Sequence, residues 1–290
     1  VLLARGGLEV QLGTRTPDQA EAIATARENE RYLPGVRLPE AIEVRPSSQI
    51  ELAGIDLVCL AVPSASYPQA VGALSDRIGR RAAILLLAKA LIAPKGQLPS
   101  EYVTERIQTR GVSCLGGPAH AREAVSGSAA LVLGTSDEDL KAQLGNVFDK
   151  AGLVCERSGD VIGVEMAGAA KNAAVLAAAA AEPHGLNAAG IAAAGVWREC
   201  VQYAVMQGAE LDTFNGLAGV GDLLATVMAE GSRNRRAGEL LGRDTPPDQV
   251  RREIGQASEA LDSVPQIAAT VAASGCPAEA LQGLADLATG

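Results

Sequence analysis

Short, continuous apolar runs alternate with helix-like segments through the first half of this chain, and then they stop. Asp56-Leu-Val-Cys-Leu-Ala-Val62 reads as a buried strand ended by Pro63-Ser64, and Ala82–Ala88 as another. Glu9–Leu12, after the Gly6-Gly7 turn, and Ile42–Val44, Ser113–Leu115, Ala129–Leu133 and Leu153–Cys155 are shorter strands. Helices are predicted over Pro17–Glu30, with Thr16 as N-cap, and over Glu138–Lys150. Such alternation implies a parallel sheet covered on both faces, which binds ligands at the carboxyl ends of its strands. From about Val161 only helices are predicted: Glu165–Ala181, Gly190–Gly208, Leu217–Glu230, Arg233–Leu241 and Ser263–Ala273. Ser-Gly-Asp near Arg157–Asp160 breaks the pattern, so residues 1–158 form a sheet domain and residues 159–290 an all-helical one.

The net charge of −9 argues against a nucleic-acid or anionic-membrane partner, because neither polyanion attracts an acidic surface. The five cysteines form no C-x-x-C pair and read as buried apolar residues in a reducing cytoplasm. His120 and His184 have no ligand cluster, so no metal is expected. Val1–Arg5 lacks the features of a signal peptide, and the longest apolar run, Ala173–Ala181, is too short to span a bilayer. A soluble, cytoplasmic protein is expected.

Several residues are placed where chemistry occurs. Lys171 lies in Met166-Ala-Gly-Ala-Ala-Lys-Asn-Ala-Ala-Val-Leu176, with small apolar neighbours on every helical face. Burial disfavours an ammonium and lowers its pKa, which suits acid–base work. A lysine paired with a carboxylate at a helix contact fits the same sequence. Lys89 follows an apolar strand, where a solvated strand-end lysine is the plainer reading. Gly116-Gly-Pro-Ala-His-Ala121 lets a ligand approach backbone, or is an ordinary loop. Ser232-Arg-Asn-Arg-Arg236 opens a helix, where dipole, N–H groups and guanidinium favour an anion over a merely solvated basic face. Asp222 lies about three helical turns before it. Thr14-Arg15, after the first strand, carry no acid for a ribose hydroxyl; Arg15 suits a 2′-phosphate, or is a turn residue.

A dinucleotide-binding sheet opens with a strand and G-x-G-x-x-G/A before its first helix. Neither precedes Val1, and Val1–Arg5 resembles the tail of that helix. Loss of the central first strand leaves two strand edges unpaired. A misplaced start or a fragmentary sequence explains this more simply than a decayed protein.

In combination, Glu28-Asn-Glu-Arg-Tyr-Leu-Pro-Gly35, Leu38-Pro39, Ala61-Val-Pro-Ser64, Gly117-Pro118, Asp160-Val-Ile-Gly-Val-Glu165, Ala170-Lys-Asn172, Gly216-Leu-Ala-Gly-Val-Gly-Asp222 and Ser232-Arg-Asn-Arg-Arg236 resemble the bacterial glycerol-3-phosphate dehydrogenase family. The resemblance implies a Rossmann-like sheet domain, here without its first strand and glycine turn, followed by an all-helical domain. It implies interconversion of dihydroxyacetone phosphate and sn-glycerol 3-phosphate with NADP or NAD, for glycerophospholipid synthesis. By resemblance Lys171 is the proton donor and acceptor. Lys89, Gly117, Asn172, Asp222, Ser232, Arg233 and Asn234 face substrate with it. Arg15, Tyr32, Lys89, Ala121, Arg233 and Glu259 line the cofactor. A homodimer is allowed for. Two departures stand out: the family's Thr-Lys-Gly reads Ala88-Lys89-Ala90, and its Gly-Pro-Ser-Phe-Ala reads Gly117-Pro-Ala-His-Ala121. A two-domain reductase of another small hydroxy acid, or an inactive remnant without cofactor, are the alternatives.

Overall fold

The structure, a computed structural model, describes residues 1–255 and 258–290. Helix α1 (Leu2–Arg5) leads into β1 (Val10–Thr14), α2 (Pro17–Ala26) and β2 (Ile42–Pro46). Strands β1 and β2 pair in parallel as a two-stranded sheet. Next come β3 (Leu57–Leu60), α3 (Tyr67–Leu74), β4 (Ala83–Leu86), α4 (Pro99–Thr104) and β5 (Gly111–Gly116). They are followed by α5 (Ala121–Ser126), β6 (Ala130–Gly134), α6 (Glu138–Lys150) and β7 (Val154–Ser158). These strands form a second sheet in the order β3-β4-β5-β6-β7. Among the described residues strand β1 pairs only with β2, and β3 only with β4, so each has an unpaired edge, in line with the expectation from the sequence.

The remaining chain is helical: α7 (Val161–Ala181), α8 (Leu186–Met206), α9 (Leu211–Asn215), a π-helical turn at Leu217–Gly221, α10 (Asp222–Met228), α11 (Arg233–Leu241), α12 (Pro247–Ile254), α13 (Glu259–Ala273) and α14 (Glu279–Thr289). The observed fold is a Rossmann-like sheet assembly followed by helices.

Three expectations are corrected. The larger sheet is not all parallel, because β5 and β6 run antiparallel. The connection between them, residues 117–129, is shorter than those joining the parallel neighbours β3–β4, β4–β5 and β6–β7, and sits near the dozen-residue minimum of a parallel crossover. The helix expected over Pro17–Glu30 ends at Ala26, although Thr16 does cap it, accepting from Gln19 N at 3.3 Å. Arg27 turns left-handed (φ 52°), and its guanidinium donates to the carbonyls of Leu38, Pro39 and Ile42, tying the helix end to the approach to β2. The helix expected over Leu217–Glu230 is a π turn joined to the short α10, which stops at Met228.

Helix α7 is the axis of the helical half. Every residue from Gly163 to Ala177 is buried. By length and composition the helical stretch Val161–His184 could cross a membrane, unlike the shorter run picked out in the sequence, but 83% of its most apolar window is buried inside the protein. Its alanines let neighbouring backbones come close. A Cβ on Gly238 of α11 would sit 2.5 Å from the Leu176 carbonyl oxygen, and one on Gly242 about as near that of Ala180. Only glycine permits that approach.

Asp160 fixes the start of α7. Its carboxylate accepts from Gly163 N at 2.7 Å, Glu210 N at 2.9 Å and Thr213 Oγ1 at 2.6 Å, so it caps α7 and ties α9 to it. Replacing a cap costs ~1 kcal/mol, and stranded buried donors cost ~1–3 kcal/mol. Asp160→Ala is therefore expected to destabilise the fold by roughly 2 kcal/mol or more in urea denaturation; a change under ~0.5 kcal/mol would mean these bonds do not anchor α7.

Candidate active site

The two halves meet where the connector after β4 crosses α7. Lys89 lies on that connector, and Ala88 and Ala90 on either side of it are buried. Its backbone carbonyl accepts from Asn172 Nδ2 of α7 at 3.1 Å. The Glu259 carboxylate, at the start of α13, lies near its backbone N–H. Its side chain runs along Gly168, where a Cβ would meet Lys89 Cβ and Cγ at 3.1 Å. The ammonium ends 2.7 Å from Asp222 Oδ2 and donates to the Gly117 carbonyl at 3.2 Å.

Lys171 reaches the same carboxylate from α7, its Nζ 3.3 Å from Asp222 Oδ1. It donates to Thr226 Oγ1 at 3.0 Å. Thr226 sits one turn after Asp222 on α10, its hydroxyl 2.7 Å from the Asp222 backbone carbonyl. Lys171, Asp222 and Thr226 are all buried, and Lys89 is partly so. Asp222 is thus a buried carboxylate with one lysine on each oxygen. Both readings left open for Lys171 hold together: the amine is buried, and it is paired.

The electrostatics follow from this arrangement. Burial, and then the Lys89 charge, press Lys171 down to about 8, against the pull of Asp222 and Glu259. Burial alone would push the Asp222 carboxyl up, but Lys89 and Lys171 draw it below the usual carboxylate range. Burial raises Glu259, opposed by Lys89, Arg233 and Lys171, so three cations and two carboxyls share one region.

A hydrogen-bonded chain extends from this centre. Asn172 Oδ1 accepts from Asn234 Nδ2 at 2.8 Å, and Asn234 Oδ1 accepts from Ser258 Oγ at 3.1 Å. Asn234 stands in the first turn of α11, beside Arg233. Ser232 caps that helix, accepting from Arg235 N at 3.3 Å. Arg235 points elsewhere, to Glu239 and the Val227 carbonyl.

The structure therefore gathers Lys89, Gly117, Lys171, Asn172, Asp222, Asn234 and Glu259, with Ser232 and Arg233 alongside. It does not bring Arg15, Tyr32 or Ala121 into contact with that cluster. Arg15 is exposed at the carboxyl end of β1 and hydrogen-bonds to none of the described residues. Tyr32 is half-exposed under Arg31, and Ala121 opens α5 at the surface. Sequence reasoning missed Thr226, whose only signal was its place four residues after Asp222, on the same helical face.

Comparison with known proteins gives the family of the chain. The family described as NAD-dependent glycerol-3-phosphate dehydrogenase matches through its N-terminus at residues 1–141 and its C-terminus at residues 160–288. The chain belongs to the NAD-dependent glycerol-3-phosphate dehydrogenase family. A glycerol-3-phosphate dehydrogenase [NAD(P)+] of Deinococcus radiodurans is 37% identical across 100% of this chain and 86% of its own length. One from Chlorobium limicola is 34% identical over 90% of this chain and 80% of its own. The crystal structure of glycerol-3-phosphate dehydrogenase from Coxiella burnetii superposes with a TM-score of 0.88 at 25% identity, covering 98% of this chain and 88% of that one.

The lowered pKa of Lys171 carries a stability consequence. In the unfolded chain the amine titrates near 10.5, and in the fold at about 8. Between those values the unfolded state holds more protons, so stability rises with pH through that window. Relative to Lys171→Met, the wild-type protein is expected to gain roughly 2 kcal/mol between pH 7 and pH 10. Urea denaturation at both pH values checks this, and parallel pH dependences would show that the amine is not held down.

Proposed function

We propose that this chain interconverts dihydroxyacetone phosphate and sn-glycerol 3-phosphate, using NADP(H) or NAD(H). The observation that carries the reading is the buried Lys171 amine, sharing Asp222 with Lys89 beside the Ser232-Arg233-Asn234 helix start. Residues 1–158 hold the cofactor in this reading, and residues 159–290 the substrate. A cytoplasmic location, a homodimer, no nucleic-acid or membrane partner and supply of the glycerophospholipid backbone accompany it.

The residues fit a dinucleotide at the carboxyl ends of the parallel strands. Arg15, an exposed guanidinium without a partner among the described residues, has the chemistry to meet a 2′-phosphate. Tyr32 and Ala121 join it in lining the cofactor, as do Lys89, Arg233 and Glu259 nearer the reaction. The cofactor supplies or accepts the hydride at the substrate carbon.

The chain's own residues manage charge and proton. Arg233, with the dipole of α11, holds the substrate phosphate, and Ser232 and Asn234 shape that end. Gly117 lets the substrate approach backbone. Lys89 stabilises the developing alkoxide, and Asn172 orients the substrate hydroxyls. As the carbonyl becomes an alcohol, the Lys171 ammonium gives its proton to the oxygen and is left as an amine. In the oxidation the amine takes that proton back. A pKa of about 8 makes either form accessible near neutral pH. Asp222 and Thr226 hold the amine in place in both forms.

Purified full-length protein is expected to oxidise NADPH on addition of dihydroxyacetone phosphate. Lys171→Ala should lower kcat by at least ~10²-fold, and Arg233→Ala should raise KM for the phosphorylated substrate by ~10-fold or more. An intact, folded enzyme without turnover would reject the proposal. If Arg233→Ala left KM unchanged, a non-phosphorylated substrate would be favoured.

The two directions should also differ in pH dependence. Reduction needs the ammonium, so its kcat/KM is expected to fall as pH rises through about 8. Oxidation needs the amine, so its kcat/KM should rise through the same range. Initial rates in both directions over that range test this, and limbs of the same sign would remove Lys171 from the proton transfer.

A further inference from the structure

The Asp160–Glu165 motif ends in a carboxyl that the proton-transfer chemistry does not use. Glu165 is buried on α7, yet both of its oxygens are taken by a single residue. Ser100 N lies 3.0 Å from Oε1, and Ser100 Oγ lies 2.5 Å from Oε2. Ser100 belongs to the first turn of α4, and α4 is where the Lys89 connector ends. Glu101 serves the preceding free N–H, that of Leu98, at 3.2 Å, and Pro99 has none.

Position along α7 gives these contacts a common meaning. Glu165, Gly168 and Asn172 are spaced i, i+3 and i+7, which puts them on one stripe of the helix. Each touches the connector or its end: Glu165 holds Ser100, Gly168 lies under the Lys89 side chain, and Asn172 holds the Lys89 carbonyl. Lys171, next to Asn172, projects from a different face to reach Asp222. Between the outer contacts the connector is pinned further by its buried Ala90, Leu91 and Ile92.

We propose that the Glu165–Gly168–Asn172 stripe is a seat that sets the register of the Lys89 connector on the catalytic helix, making Glu165 and Gly168 positioning residues for Lys89. The seat decides how close the two lysines stand across Asp222. The inference rests on the dehydrogenase reading for its kinetic consequences, but not for its geometry.

Each point of the seat works differently. At Gly168 a methyl group would press on Lys89 Cβ and Cγ at 3.1 Å. Because Lys89 Cβ is fixed to the connector backbone, relief of this contact asks the connector to give by a few tenths of an ångström, a shift that in this proposal loosens the ammonium's contact with Asp222. Alanine otherwise suits a helix interior better than glycine, so the fold itself does not suffer. At Glu165 burial pushes the carboxyl up to about 8, with the Glu101 charge adding to that push and the Ser100 bonds opposing it. Cys114 and Tyr67 also face Glu165, and both are buried. A carboxyl that is largely neutral at pH 7 has a close mimic in glutamine, which can serve Ser100 N and exchange a bond with its hydroxyl.

Displacing Lys89 should also move Lys171. A like charge that lowers the Lys171 pKa withdraws, and Asp222 is left to pair with Lys171 alone. Both changes raise it, with Glu259 the remaining acid in the field of the amine. The limb of the pH profile that reports on Lys171 therefore shifts upward.

The test compares Gly168→Ala, Glu165→Ala and Glu165→Gln with the wild-type enzyme. It reads melting temperature, kcat, KM, the pH limb and the crystallographic separation of Lys89 Nζ from Asp222. Gly168→Ala is expected to melt close to wild type while kcat falls about tenfold or more, the limb moves up and the ion pair lengthens. Glu165→Ala should shift kcat and the limb in the same direction, and Glu165→Gln should restore most of both. If Glu165→Ala does not fold, Gly168→Ala decides the question. A folded Gly168→Ala protein with an unmoved limb and an intact Lys89–Asp222 contact would overturn the seat. Should the wild-type enzyme prove inactive on dihydroxyacetone phosphate, the function proposal fails, and the Lys89–Asp222 separation in Gly168→Ala still decides the seat.

Discussion

One buried carboxylate, Asp222, holds two lysines that arrive from opposite halves of the molecule. Lys89 comes from the connector after a sheet strand and Lys171 from the axial helix. A buried carboxylate is costly unless its charge is matched, and removing one partner of such a pair strands the other. The arrangement leaves Asp222 satisfied on both oxygens while Lys171 stays reluctant to keep its proton. That reluctance has two sources, burial and the second ammonium, and the carboxylate only partly offsets them. Stability is thereby given up at this position, as the proposed proton transfer through Lys171 requires.

The rest of the fold can be read as what keeps these three groups together. An alanine-rich α7 admits the close approach of α11 at Gly238 and Gly242, which brings the Arg233 helix start to the same side as Lys171. Asp160 fixes where α7 begins. The asparagine chain from Lys89 through Asn172 to Asn234 links the connector, the axial helix and α11 without charge. The π turn at Leu217–Gly221 delivers Asp222 at the head of α10, where Gly219 allows a backbone approach that no larger residue could make. A Cβ there would lie 2.0 Å from the Phe214 carbonyl oxygen.

Much of this was legible from residue patterns. Continuous apolar runs located β3, β4 and β6 to within a residue or two; β4, buried at every position, needs no polar alternation, whereas β1, β2 and β7 carry exposed polar positions. The small neighbours of Lys171 announced its burial, and Ser232 with Arg233 marked a real helix start. What escaped the sequence was decided by contacts distant along the chain. The end of α2 depends on Arg27 reaching carbonyls that precede β2, which no local propensity encodes. The reversal between β5 and β6 escaped because α5, in the short connection between them, is too brief to show a periodicity. Ser100 and Glu165 lie far apart in sequence and gave no joint signal before folding brought them together. Asn172 illustrates the middle case: its neighbourhood flagged it, but its double role toward Lys89 and Asn234 appears only in three dimensions.

The central claim is that the Lys171 amine is held near its deprotonation point by burial and by the neighbouring ammonium. A direct NMR titration of that amine, with lysine labelled at Nζ and the resonance assigned by its loss in Lys171→Met, measures this without recourse to turnover. The account requires a midpoint of about 8 in the wild-type protein, far below the ordinary 10.5. A midpoint at the ordinary lysine value would contradict it, and would leave Lys171 as the structural half of an ion pair.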